Sequence, residues 1–149
     1  MHDLIQTAGA DRALMMDLHS PQLQGFFHIP SDQLSAIPLI TDYLSKTDLS
    51  NAVVVAPDAG FAKKARAFAA RLGTSYAIAE KRRADHSETA EVTELIGDVD
   101  GKTALIVDDY TITAGSLADA ARILTERDAQ SVSAMMTPGL RTENAEDRL

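Results

Sequence analysis

The chain predicts an α/β fold, a mostly parallel twisted sheet flanked by helices. Two short apolar runs, AVVVA at 52–56 and TALIV at 103–107, are rich in β-branched residues and bounded by turn-forming or polar residues. Runs of that kind mark strands covered on both faces. Each is followed, after a few polar residues, by apolar side chains at helical spacing. Strands alternating with helices of about ten residues read as βαβ units, because parallel neighbours need a long crossover. In such sheets ligands gather beyond the carboxyl ends of the strands.

In chain order, residues 1–8 read as a helix stopped by Gly9 at its C′ position. Residues 12–16 are a short apolar strand, followed by Asp17-Leu18-His19, and Pro21 is expected to end regular structure there. Phe26 and Phe27, in a loop bounded by Gly25 and Pro30, fit the core or a contact surface, with the core ranked first. Pro38 fits the first turn of a helix reaching about Lys46, where its missing N–H costs nothing. The strand at 52–56 passes through a Pro57-Asp58-Ala59-Gly60 turn into a helix burying Phe61, Ala65, Phe68, Ala69 and Leu72 and ending at Gly73. Residues 75–79 form another strand that leads into Lys81-Arg82-Arg83. The polar, aperiodic stretch 84–90 is expected to be a mobile loop, 91–96 a strand and 97–102 a turn. After the strand at 103–107 and a polar loop, a helix presents Leu117, Ala120, Ala121 and Leu124, and 131–136 is the last strand. The polar segment 137–149 is expected to be poorly ordered, and the 149 residues together to form one domain.

Composition narrows the function classes. A net charge of −8 argues against a nucleic-acid or anionic-membrane binder. The chain has no apolar run long enough to span a membrane and no signal-peptide pattern, so the cytoplasm is the expected location. With no cysteine, disulfides and thiol catalysis are excluded. The charge is unevenly spread: seven of the 14 basic residues lie between Lys63 and Arg83, opposed there only by Glu80. Such an island suits a polyanionic small molecule, although charge runs more often make a solvated helix face.

The candidate chemistry sits after the strands. Asp108 and Asp109 stand where the strand at 103–107 should end, with Thr113, Gly115 and Ser116 just ahead of the next helix. Unpaired N–H groups at a helix start suit a phosphate, and adjacent carboxylates suit sugar hydroxyls or a phosphate-bound metal ion. His19, Asp58 and Lys81 likewise follow predicted strands, which collects four polar clusters on one sheet edge. Each has a plainer role as well. Ser116 and Asp58 fit helix caps, His19 a turn histidine, and Lys81 to Arg83 a solvated approach to a hairpin.

Four segments carry a resemblance: DLHSPQLQGFFHIP at 17–30, VVVAPDAGFAKKARAFAARLG at 53–73, AEKRR at 79–83 and ALIVDDYTITAGS at 104–116. Their order and spacing resemble the ribose-phosphate diphosphokinases (phosphoribosyl pyrophosphate synthetases), over nearly the whole chain. The resemblance implies the type I phosphoribosyltransferase fold and transfer of diphosphate from MgATP to ribose 5-phosphate. It assigns Thr113, Ala114, Gly115 and Ser116 to the 5-phosphate, and Asp108 and Asp109 to the ribose hydroxyls. It assigns His19 and Asp58 to Mg2+, and Lys81 and Arg83 to the transferring phosphoryl group. Phosphoryl transfer needs positioning and charge neutralisation, which these residue types supply. The resemblance also implies self-association into homo-oligomers.

Several positions depart from the family pattern. Ile112 stands where the family commonly has a polar residue, Phe61 where it has a second glycine, and His28 where it has aspartate. Family members are roughly twice as long, and the match is to their second domain, without the domain that supplies much of the adenine surface. Three readings follow: a diphosphokinase; a non-catalytic ribose-phosphate or phosphoribosyl pyrophosphate-binding or regulatory module without an ATP site; and, ranked last, a phosphoribosyltransferase using phosphoribosyl pyrophosphate as donor.

Overall fold

The computed structural model describes residues 2–82, 91–108 and 115–136; the side chains of 81, 82 and 91–93 lie outside that description. The expectations for 84–90 and 137–149 therefore fall outside it. Helix α1 (His2–Thr7) leads through Gly9, at φ +96°, into β1 (Ala13–Met16). A 3-10 turn at Pro21–Phe26 carries the chain to β2 (Ser31–Leu34), and α2 (Ile37–Leu44) follows with Pro38 in its first turn. Next come β3 (Ala52–Ala56), α3 (Ala62–Leu72), β4 (Ser75–Arg82), β5 (Glu91–Ile96), β6 (Thr103–Asp108), α4 (Gly115–Glu126) and β7 (Ser131–Met136).

Five strands form one sheet in the order β5-β4-β3-β6-β7, parallel except for the antiparallel edge strand β5. Alternate side chains of β3 and β6 point to opposite faces, and each face has its own helix. Val54, Ala56, Leu105 and Val107 pack with Ala65, Phe68 and Ala69 of α3. Val53, Val55, Ala104 and Ile106 pack with Leu117, Ala120, Ile123 and Leu124 of α4. All five residues of β3 are buried, as an apolar central strand between two helix layers should be. Helix α3 stops at Gly73, whose φ of +69° is cheap only for glycine.

The amino-terminal ends of the parallel strands are tied to one another. Thr103 N–H donates to the Asn51 carbonyl at 2.9 Å, and Asn51 Nδ2 donates to the Gly101 carbonyl at 2.6 Å. Gly101 N–H donates to the Asp128 carbonyl at 2.8 Å and Gln130 N–H to the Lys102 carbonyl at 2.9 Å. Gly97, at φ +113°, presses against β4 so closely that an added Cβ would lie 2.8 Å from Ala77 Cβ.

A second, separate sheet has only two strands, β1 and β2, paired in parallel. Sequence pattern misses β2, because Ser-Asp-Gln-Leu carries no apolar alternation; pairing with β1 makes it a strand, braced by an Arg12–Asp32 ion pair. Other expectations are corrected here. Pro21 opens a 3-10 turn instead of ending regular structure, since its fixed φ suits a first turn. The 57–60 turn includes a 3-10 segment at Ala59–Phe61. Phe26 is not in the core: it is 61% exposed and stacks on His2 at 5.4 Å, while half-buried Phe27 meets the same ring edge-on at 4.9 Å. Strand β4 continues three residues past the predicted Ala79, and α4 already includes Gly115 and Ser116.

Candidate active site

Strand order creates the site. From β3 the chain crosses through α3 to β4 on one side, and from β6 through α4 to β7 on the other. The two crossovers lie on opposite faces, so a crevice opens between the carboxyl ends of β3 and β6. Asp108 is the last residue of β6, and Asp58 comes two residues after β3. His19 arrives from the other sheet, three residues beyond β1. These three side chains, with Gly60, Phe61 and Lys64, line one open cleft of about 540 Å3. That volume lies within the range of small-molecule sites.

Local structure fixes each wall. Asp58 is extended, and the Phe61 N–H donates to its Oδ1 at 2.9 Å, so the capping role read from sequence is present. This bond orients the carboxylate toward the start of α3. Gly60 packs tightly against it: an added Cβ would sit 3.1 Å from Asp58 Oδ1. Phe61 occupies the wall as a half-buried ring packed on the α3 side of the core. The Lys64 ammonium lies 5.1 Å from the centre of that ring, within cation–π range.

Behind the cleft is a small apolar-walled cavity of about 20 Å3 shared by Asp17, Lys64, Phe61 and Asp108. Asp17 sits at φ 44°, a costly conformation for a non-glycine residue, and its Oδ2 accepts the Ala36 N–H at 2.9 Å. The bond pins the turn that delivers His19. Asp17 has no role readable from sequence, and Lys64 enters there only as one member of the basic island between Lys63 and Arg83. For Lys64 the signal was available: its spacing from Phe61 and Phe68 puts it at the margin of the buried stripe of α3.

Of the residues assigned from sequence, the structure brings His19, Asp58 and Asp108 to one cleft. Gly115 and Ser116 form the first turn of α4, where backbone N–H groups have no partner within the helix. Asp109, Thr113, Ala114 and Arg83 lie outside the described residues, as does Ile112; Lys81 is described only as backbone, within β4. Among the described residues no group of three or more His, Cys, Asp or Glu side chains is arranged for a metal ion. No described helix is long and apolar enough to cross a membrane.

Comparison with known proteins gives the lineage. Residues 31–139 match the phosphoribosyl transferase domain family. The chain is 47% identical over 148 residues to the ribose-phosphate pyrophosphokinase of Aquifex aeolicus, covering 99% of this chain and 47% of the relative. It is 49% identical over 148 residues to that of Synechocystis, covering 99% of this chain and 44% of the relative. The crystal structure of phosphoribosylpyrophosphate synthetase from Mycobacterium smegmatis superposes with a TM-score of 0.85 at 37% identity, over 99% of this chain and 47% of that one. A purine phosphoribosyltransferase from Pyrococcus horikoshii shares the fold, with a TM-score of 0.60 at 17% identity over 87% of this chain and 78% of that one. The chain spans about half the length of the curated relatives it matches. It belongs to the phosphoribosyl transferase domain family, and its match to the ribose-phosphate pyrophosphokinases falls on the second domain of those relatives.

Proposed function

We propose that this chain binds ribose 5-phosphate at the crevice between β3 and β6, as the sugar-phosphate half of an enzyme that transfers diphosphate from MgATP to the sugar's 1-hydroxyl. The observation that carries the reading is the convergence of His19, Asp58 and Asp108, from three separate segments, on one cleft. Asp108, with Asp109 beside it in sequence, accepts hydrogen bonds from the ribose hydroxyls. The start of α4, with Gly115, Ser116 and the preceding Thr113 and Ala114, receives the 5-phosphate through backbone N–H groups and the helix dipole.

His19 and Asp58 are the residues that would hold Mg2+, which when bound would supply charge neutralisation for phosphate oxygens. The donor set fits a cation that keeps several waters and takes few protein ligands. Lys64 adds a cation to a wall that also carries two carboxylates, which lowers the cost of bringing phosphate oxygens near Asp58 and Asp108. Lys81 and Arg83 stabilise the transferring group as a point charge and a planar fork. Soluble cytoplasmic operation and homo-oligomerisation belong to the same reading.

The test is calorimetric titration with ribose 5-phosphate, then ATP, each with Mg2+. Ribose 5-phosphate binding that weakens at least about 100-fold in Asp108→Ala, as loss of charge-assisted hydrogen bonds predicts, supports the site. No sugar-phosphate binding to the parent chain sinks it. Lys81→Ala should abolish diphosphate transfer while leaving ribose 5-phosphate affinity nearly unchanged; a fully active variant removes that loop from the mechanism. The non-catalytic reading is favoured by one position, Phe61, whose ring stands in the cleft wall. Sugar-phosphate binding without ATP binding or transfer, even in the presence of a complementing domain, would select it.

A further inference from the structure

Helix α3 carries four basic residues, Lys63, Lys64, Arg66 and Arg71. Three of them are exposed, and only Lys64 is half-buried. A lysine stem samples many rotamers in water, so fixing its ammonium in a cleft costs entropy when a ligand binds. Here the ammonium already has a seat. Phe61 lies three residues earlier, within reach along the helix, and Lys64 Nζ stands 5.1 Å from the centre of its ring. The ring is itself held, since it packs on the α3 side of the core. Phe61 also serves the opposite charge: its N–H donates to Asp58 Oδ1 at 2.9 Å. One residue thus fixes a carboxylate through its backbone and an ammonium through its ring, and both line the cleft with His19 and Asp108.

We propose that Phe61 is a positioning residue for a diphosphate ligand and acts through Lys64, whose ammonium it holds ready at the cleft wall. The ligand class comes from the diphosphate-transfer reading above, on which the inference rests. A diphosphate carries more negative charge than a monophosphate and gains more from a cation kept in place. The cleft, at about 540 Å3, has room for it. Holding the ammonium before the ligand arrives removes an ordering cost from binding, which is the general benefit of preorganisation. The same ring, by its bulk alone, is what favours the non-catalytic reading. The two roles differ in sign: taking away a crowding ring improves binding, whereas taking away a supporting ring weakens it.

The test titrates inorganic diphosphate, with Mg2+ and at fixed ionic strength, into the parent chain, Phe61→Leu, Lys64→Met and the double variant. Leucine keeps an apolar side chain against the core and removes the aromatic face, so the packing stays while the cation–π contact goes. Phe61→Leu should weaken diphosphate binding about three- to fivefold, the size of a partly exposed cation–π contact. Lys64→Met should weaken it at least about tenfold, as loss of a charged hydrogen-bond donor predicts. The double variant should lie within about twofold of Lys64→Met alone, because the ring has nothing to hold once the ammonium is gone. Losses that multiply in the double variant overturn the proposal, since Phe61 would then act without Lys64. Phe61→Leu binding as tightly as the parent, or more tightly, overturns it too, as does a parent chain that binds no diphosphate. Ribose 5-phosphate is titrated separately. Its failure to bind, with the Phe61–Lys64 coupling intact, sinks the sugar-phosphate reading and leaves this assignment standing.

Discussion

Strand β1 of the small sheet and β3 of the large one are both continuous apolar runs, and the two sheets differ in how those runs are covered. In the five-stranded sheet, β3 and β6 are sandwiched between α3 and α4, and residues such as Val54 and Ile106 are buried almost completely. In the two-stranded sheet, β1 alternates half-buried and exposed side chains, and the exposed ones are leucine and methionine. The same continuous apolar run therefore means core in β3 and unmet surface in β1. What decides is the layer on top, which a strand's own sequence does not record.

That contrast can be broken most severely by cavity formation. Ile106→Ala, in the sandwiched sheet, should cost about 2–5 kcal/mol of unfolding free energy, whereas Leu14→Ala in the isolated chain should cost less than about 1 kcal/mol. Urea unfolding measures both, and equal losses would mean that the β1–β2 face is covered after all. Gly97→Ala comes next. The added methyl meets Ala77 at 2.8 Å at a backbone φ of +113°, so both a clash and strain of about 1–3 kcal/mol are expected. A variant as stable as the parent would show that the β4–β5 edge yields easily.

The smallest effect concerns pH. Hydrogen bonding from the Lys102 ammonium, then the Asp100 N–H, then the charge of Lys102, holds the Asp98 carboxyl below its ordinary value of 3.8. A depressed carboxylate stabilises the folded state fully above its unfolded pKa, and that contribution is lost as pH falls through the lower folded value. Asp98 is fully exposed, so Asp98→Asn should lower the melting temperature only slightly at neutral pH and not at all once both states are protonated. A larger penalty in acid than at neutrality would contradict the sign.

Legibility followed the same division. Strands β3 and β6, and the helix closed by Gly73, could be read directly because burial on both faces demands uninterrupted apolar runs and helical stripes. The convergence of Asp58 and Asp108 followed from strand order, since both sit at carboxyl ends. Strand β2 was not readable: Ser31, Asp32 and Gln33 adopt extended structure through their partner, not through preference. Phe26 and Phe27, adjacent rings in a loop bounded by Gly25 and Pro30, favour the core by sequence, yet Phe26 stacks on the half-buried His2 ring and stays exposed. The positive φ of Asp17 is a tertiary effect, held by the Ala36 N–H, with no sequence signature of its own.

The hydrogen bonds joining the turns at Asn51, Gly101 and Asp128 have a consequence for how a ligand can be received. They lock the strands at the end away from the cleft, so amide protons there should exchange slowly whether or not the crevice is filled. Ordering on binding is then confined to the rim around His19, Asp58 and Asp108. The entropy lost to a ligand scales with those few residues rather than with the sheet. A fold built this way can change which ligand it accepts by altering rim residues alone, while its base stays the same.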